Sequence, residues 1–141
     1  MASVIFNSFK KEVQDGTIDM DANTFYVMLV TSSYTADIDA HTRRNNVTTN
    51  EVTGTGYTLG GASITTLSVT TDTTNDRGVW DGADVTWASS TITARGGIIY
   101  KSTGVTANDN LVCYIDFGAD KSSSNGSFTI QWSTAGIIYL S

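Results

Sequence analysis

Thr24-Phe25-Tyr26-Val27-Met28-Leu29-Val30-Thr31 decides the fold. Phe25, Val27 and Leu29 alternate with Tyr26, Met28 and Val30, so an extended chain presents apolar side chains on both faces. A helix would spread the same residues around its whole circumference, and six β-branched or aromatic side chains of eight favour a pleated conformation. A strand apolar on both faces lies inside a sheet that is covered on both sides.

Period-two patterns continue downstream. Ala83, Val85 and Trp87 alternate with Asp84 and Thr86, and Ile92, Ala94, Gly96, Ile98 and Tyr100 alternate with Thr93, Arg95 and Gly97. Leu111, Cys113, Ile115 and Phe117 are read as one face, and Phe128, Ile130 and Trp132 as another strand, before the closing segment GIIYLS. In ASITTLSVTT, Ile64 is out of phase with Leu67 and Val69, which predicts a bulge near Thr65-Thr66. Asn75-Asp76-Arg77-Gly78, Asp81-Gly82, Asn108-Asp109-Asn110 and Ser124-Asn125-Gly126 read as the turns between strands. Short strands at this spacing predict an antiparallel sandwich or barrel, here taken as a jelly-roll-like β-sandwich forming one domain over residues 1–141.

Composition agrees. The 141 residues include 23 Thr and 15 Ser, and Asp outnumbers Glu 12 to 2, which suits strands and turns over helix surfaces. One short α-helix is expected over residues 1–15, capped by Ser3, with Ile5, Phe9 and Val13 as its buried stripe and Asp15-Gly16 as its end. Residues 31–50 are polar and aperiodic, longer than an ordinary loop, and so read as functional, mobile or held by a partner.

A formal charge of −6 offers no footprint for nucleic acid or anionic lipid. No apolar run approaches the roughly 20 residues that span a bilayer. The start, apolar before basic, reverses the order of a secretory signal, so synthesis and retention in a cytosol are expected. One cysteine permits no internal disulfide.

Catalytic candidates are few. Cys113 lies between apolar neighbours and reads as a core thiol. His41, the sole histidine, follows Asp37 and Asp39 on the long loop and reads as a surface side chain. The pairs Asp19/Asp21, Asp37/Asp39 and Asp81/Asp84 lack both a sugar-cleft setting and a calcium-loop continuation. GTGYTLGG (54–61) has no following Lys or helix, so its glycines serve a bend or a close backbone approach. The sequons at Asn46 and Asn125 mark surface turns. No catalytic residue, cofactor or metal is expected. The aromatics instead suggest an interface, with Tyr26 and Tyr114 facing away from the presumed core.

The runs VMLVTSSYTADIDAH (27–41), NEVTGTGYTLGG (50–61), DVTWASSTITARGGIIYK (84–101) and YIDFGADKSSSNGSFTIQW (114–132) resemble a family of small structural proteins of tailed bacteriophages and prophages. Within that setting the chain is similar to capsid decoration, or cement, proteins. The resemblance implies a virion protein made in the host bacterial cytoplasm, bound as a dimer or trimer to the major capsid protein on the head exterior. It implies no enzymatic activity. The alternatives are a receptor- or carbohydrate-binding module on a tail or head fibre, and a head–tail completion protein. Expected contacts are the helix face (Ile5, Phe9), the long loop (Tyr34, Asp37, His41, Arg43, Arg44) and the glycine-rich segment (Gly54, Tyr57). Adjacent guanidinium forks at Arg43 and Arg44 would suit carboxylates on a partner.

Overall fold

A computed structural model describes residues 2–141. In chain order they form β1 (Val4–Ile5), α1 (Asn7–Gln14), β2 (Phe25–Val30), two 3₁₀ turns (Arg44–Asn46 and Thr48–Asn50), β3 (Ala62–Ser63), β4 (Ser68–Asp72), β5 (Arg77–Asp81), β6 (Val85–Lys101), β7 (Asn110–Ile130) and β8 (Ile138–Leu140). The chain is mostly β. One antiparallel sheet has the order β1-β7-β6-β2-β3 and a second has the order β4-β5-β8.

The two-faced β2 strand divides its side chains between two cores, as its alternation predicts. Phe25, Val27 and Leu29 join Trp80, Trp87, Ile92 and Phe128 in the larger one. There Phe25 meets the edge of Trp80 at 5.0 Å between ring centroids, which binds the three-stranded sheet to the five-stranded one. Met28 and Val30 join Phe6, Tyr34, Val47, Ile98 and Tyr114 on the opposite face.

That second core corrects two expectations. Tyr114 does face away from the first core, but it is 1% exposed and offers no surface to a partner. What covers it is the long loop. Thr31 N–H donates to the Asn50 carbonyl at 3.0 Å, closing residues 31–50 into one folded unit. Tyr34 from this unit packs edge-on against Tyr114 at 5.1 Å. The loop is therefore held by its own sheet.

The helix is shorter than the 1–15 span and starts later. Ser3 does not cap it; its Oγ accepts the Asp116 N–H at 2.9 Å. Val4 and Ile5, both β-branched, pair with Tyr114 and Cys113 as a strand. Phe6 is extended at the helix entry and gives no side-chain cap. Asp15-Gly16 ends the helix as read, with Gly16 at φ +80.

Four expected strands are really two. β6 and β7 form one hairpin, 17 and 21 residues long, joined through residues 102–109. Ser124-Asn125-Gly126 does not reverse the chain. Asn125 takes φ +48 within β7, opposite the bulge that Ser89 makes at φ +49 in β6. A further irregularity separates Ala94↔Lys121 from Gly96↔Asp116, where β7 carries three more residues than β6. A register shift beside Tyr100 also places Leu111 in the second core while Cys113 stays in the first, so they do not share a face. The phase break in ASITTLSVTT is where the chain leaves one sheet for the other, with Thr66 at φ +54.

Candidate interaction surface

The contact residues expected from the sequence are largely engaged within the chain. Arg43 Nη2 meets Glu12 Oε1 at 2.8 Å, and Asn110 Nδ2 donates to the other Glu12 oxygen at 2.9 Å. This joins the loop, the helix and β7 around a carboxylate that is itself buried. Arg44 Nη1 approaches Asp109 Oδ2 at 3.4 Å, and its guanidinium lies 5.0 Å from the Tyr100 ring centroid. The two guanidinium forks thus point at carboxylates of their own chain.

The same holds along the loop and the glycine-rich segment. Asp37 Oδ1 accepts the N–H groups of Asp39 and Ala40, which holds the Asp37 carboxyl below its usual range. His41 Nδ1 lies 3.0 Å from the Tyr34 hydroxyl and accepts the Asp37 N–H at 3.2 Å, which fixes the tautomer with its proton on Nε2. Asn7 Nδ2 donates to Asp39 Oδ1. Tyr57 donates to Glu51 at 2.7 Å and accepts the Leu29 N–H at 2.9 Å; burial pushes its phenol well above the ordinary value. A Cβ on Gly54 would enter the Thr91 carbonyl, so glycine there serves a close approach between segments of one chain. Phe9 is 4% exposed in the larger core, and Ile5 is half-buried in β1.

Cys113 is buried, and burial pushes its thiol up to about 12. Among the described residues no three His, Cys, Asp or Glu side chains come together as a metal-binding group.

The open surface lies where the sequence showed no signal. β1 covers the outer edge of β7 only at Cys113 and Tyr114. Toward the hairpin turn the long loop takes over, with Arg43 bridged to Asn110, and Ser3 takes the Asp116 N–H. Beyond Asp116 no strand among the described residues pairs with that edge, and β8 is an edge of the second sheet. Along β7, closed on its far side by Gly136 and Ile137 at the entry to β8, runs a groove of about 640 Å³ walled by Ile115, Phe117, Phe128, Trp132 and Ile137.

Local chemistry builds each wall. Asp116 Oδ1 accepts Arg95 Nε at 2.8 Å and the Gly118 N–H at 3.0 Å, which folds the irregular stretch around Gly118 at φ +81. The Arg95 guanidinium, followed by that N–H, holds the Asp116 carboxyl below its ordinary value. Trp132 is pinned twice, by its N–H to Asp84 Oδ1 and its Nε1–H to the Ala83 carbonyl, each at 2.9 Å. The Ile137 N–H then bonds the Trp80 carbonyl at 2.8 Å and steers the chain into β8. Lys121 is the one charged side chain lining the groove. Tyr139 and Leu140 stand exposed just beyond it.

Phe128 is itself buried in the larger core, and Phe117 and Trp132 pack half-buried against it; alternation reports which face a residue is on and not whether its strand lies at a sheet edge. A second, polar cleft of about 480 Å³ lies on the small sheet, lined by Thr70, Asp72, Arg77, Asp81 and Thr134. In it Arg77 Nε pairs with Asp72 at 3.0 Å and its guanidinium stacks 4.3 Å from the Tyr139 ring centroid.

No known protein family matches this chain, and neither does any curated protein or solved structure. No helix of the described residues is long and apolar enough to cross a membrane.

Proposed function

We propose that this protein is a non-enzymatic structural protein of a tailed-bacteriophage virion, a capsid decoration protein that binds the outside of the head and stabilises it. It is made in the host cytoplasm, assembles as a dimer or trimer, and is a jelly-roll-like sandwich that contacts the major capsid protein. The observation that carries the reading is the open seam between β7 and the entry to β8, an apolar groove beside an unpaired stretch of sheet edge. Edges and apolar patches of this kind are docking surfaces or aggregation hazards, and a protein that adds itself to a lattice uses them as the former. Many modest contacts repeated over a shell sum to a large stabilisation. The acidic surface faces outward, away from packaged nucleic acid.

Purified protein added to decoration-stripped heads should rebind at a copy number comparable to that of the capsid protein and raise the temperature of head disruption. A copy number confined to one vertex would make it a head–tail completion protein, and failure to rebind would remove the decoration role.

A carbohydrate- or receptor-binding module is the second reading. It does not rest on the long loop, whose Tyr34 is buried. It rests on the polar cleft of the small sheet, where Asp72 and Asp81 line the floor and Arg77 reaches the exposed Tyr139 ring. Arg77 already occupies one face of that ring, which ranks the reading below the first. A glycan array with no signal removes it.

A further inference from the structure

We propose that the seam between β7 and the entry to β8 binds an extended segment of a partner protein, one that carries large apolar side chains and a carboxylate placed to meet Lys121. The inference rests on the seam being a docking surface and names what docks there.

Three observations lead to this occupant. The edge of β7 already accepts extended backbone where β1 pairs with Cys113 and Tyr114 and Ser3 takes the Asp116 N–H, so the stretch beyond Asp116 continues an existing slot. The groove beside that stretch is walled by two Phe, one Trp and three Ile side chains, counting Ile130, which suits alternate side chains of a strand added at the edge. Lys121 is the only charge in the lining, is exposed, and makes no ion pair among the described residues. A carboxylate on the incoming segment is its complement.

The same edge argues against a second copy as the occupant. The irregular stretch at 117–120 and the left-handed Asn125 set bulge against bulge when identical edges pair along their length, whereas a foreign segment needs only the regular runs 121–123 and 128–130.

The probes are two soluble peptides of alternating Ile and Thr that differ only in a central Glu or Lys. Each is titrated into isotope-labelled full-length protein and followed by amide shifts. The Glu peptide should perturb Lys121–Ile130 and Trp132, slow amide exchange along β7, and bind at least tenfold more tightly than the Lys peptide. Lys121→Glu, a surface change, should reverse that preference, and Phe117→Ala should weaken both peptides. Absence of shifts at the seam, equal binding of the two peptides, or a homodimer that buries the seam would each overturn the inference. Heads that rebind a protein whose seam takes neither peptide would overturn it while leaving the decoration role standing. Peptide binding without head rebinding would do the reverse.

Discussion

Arg43 closes on Glu12 at 2.8 Å, and through this contact the long loop is fastened to the helix. Asn110 holds the other carboxylate oxygen, so removing Glu12 leaves a guanidinium and an amide without their acceptor. Breaking one side of a buried pair costs more than the pair contributes net, because the remaining partner stays desolvated. Arg43 is one-third exposed and can recover some water. Glu12→Ala should therefore lower unfolding stability by about 2–4 kcal/mol, and Arg43→Ala by less. Urea midpoints of both variants and of the double variant check this. Additive losses would mean that the two side chains do not interact.

Alkaline pH should destabilise the protein. Burial raises the Cys113 thiol from an ordinary value of 9.0 to about 12 and raises the Tyr34, Tyr57 and Tyr100 phenols above theirs. Each of these groups is neutral when protonated, so the unfolded chain ionises first and the native state holds more protons. Their contribution is complete below the unfolded values and is lost as pH rises through them. The slope approaches about 1.4 kcal/mol per pH unit for each group in this condition. Thermal midpoints should be level near neutrality and fall from about pH 9 upward. A midpoint unchanged to pH 11 contradicts the burial of these groups.

Thiol chemistry supplies an independent check. At pH 8 a thiol with its ionisation near 12 is almost wholly protonated and shielded from reagent. Native protein should react with a disulfide reagent only at the rate of unfolding, and full reactivity should appear in denaturant. Fast stoichiometric labelling of the native state would place Cys113 at the surface.

Tyr57 and Gly54 test the glycine-rich segment. Tyr57→Phe deletes the acceptor for the Leu29 N–H and the donor to Glu51, a loss of about 1–3 kcal/mol if water does not replace the hydroxyl. Gly54→Ala forces its Cβ into the Thr91 carbonyl, so the segment must shift away from β6. Both variants should show faster amide exchange at Leu29 and Thr91. A Gly54→Ala variant as stable as the parent would show that the approach relaxes freely.

The central strand was legible because its pattern carries its own answer. TFYVMLVT is apolar on both faces, and both faces are covered. Thr65-Thr66 was legible as a break in phase, though not as a passage between sheets. Ser124-Asn125-Gly126 misled because a left-handed Asn serves a bulge as well as a turn, and local chemistry does not distinguish them. Leu111 and Cys113 were misassigned because one extra residue shifts every later side chain to the other face. Arg43 and Arg44 look like partner contacts in sequence because their acceptors, Glu12 and Asp109, lie far along the chain. The seam left no trace, since the absence of a neighbouring strand has no sequence pattern.

The β6–β7 hairpin has a consequence for how the chain reaches this state. Its turn, residues 102–109, is short, and Asp109 Oδ1 accepts both the N–H of Thr103 at 2.7 Å and its hydroxyl at 2.8 Å, pinching the two ends together. Closing so short a loop costs little chain entropy, whereas joining β1 to β7 must close more than a hundred residues. The ribbon can thus zip outward from Asp109 as a template, and the N-terminal strand arrives late, on an edge that is already there to receive it.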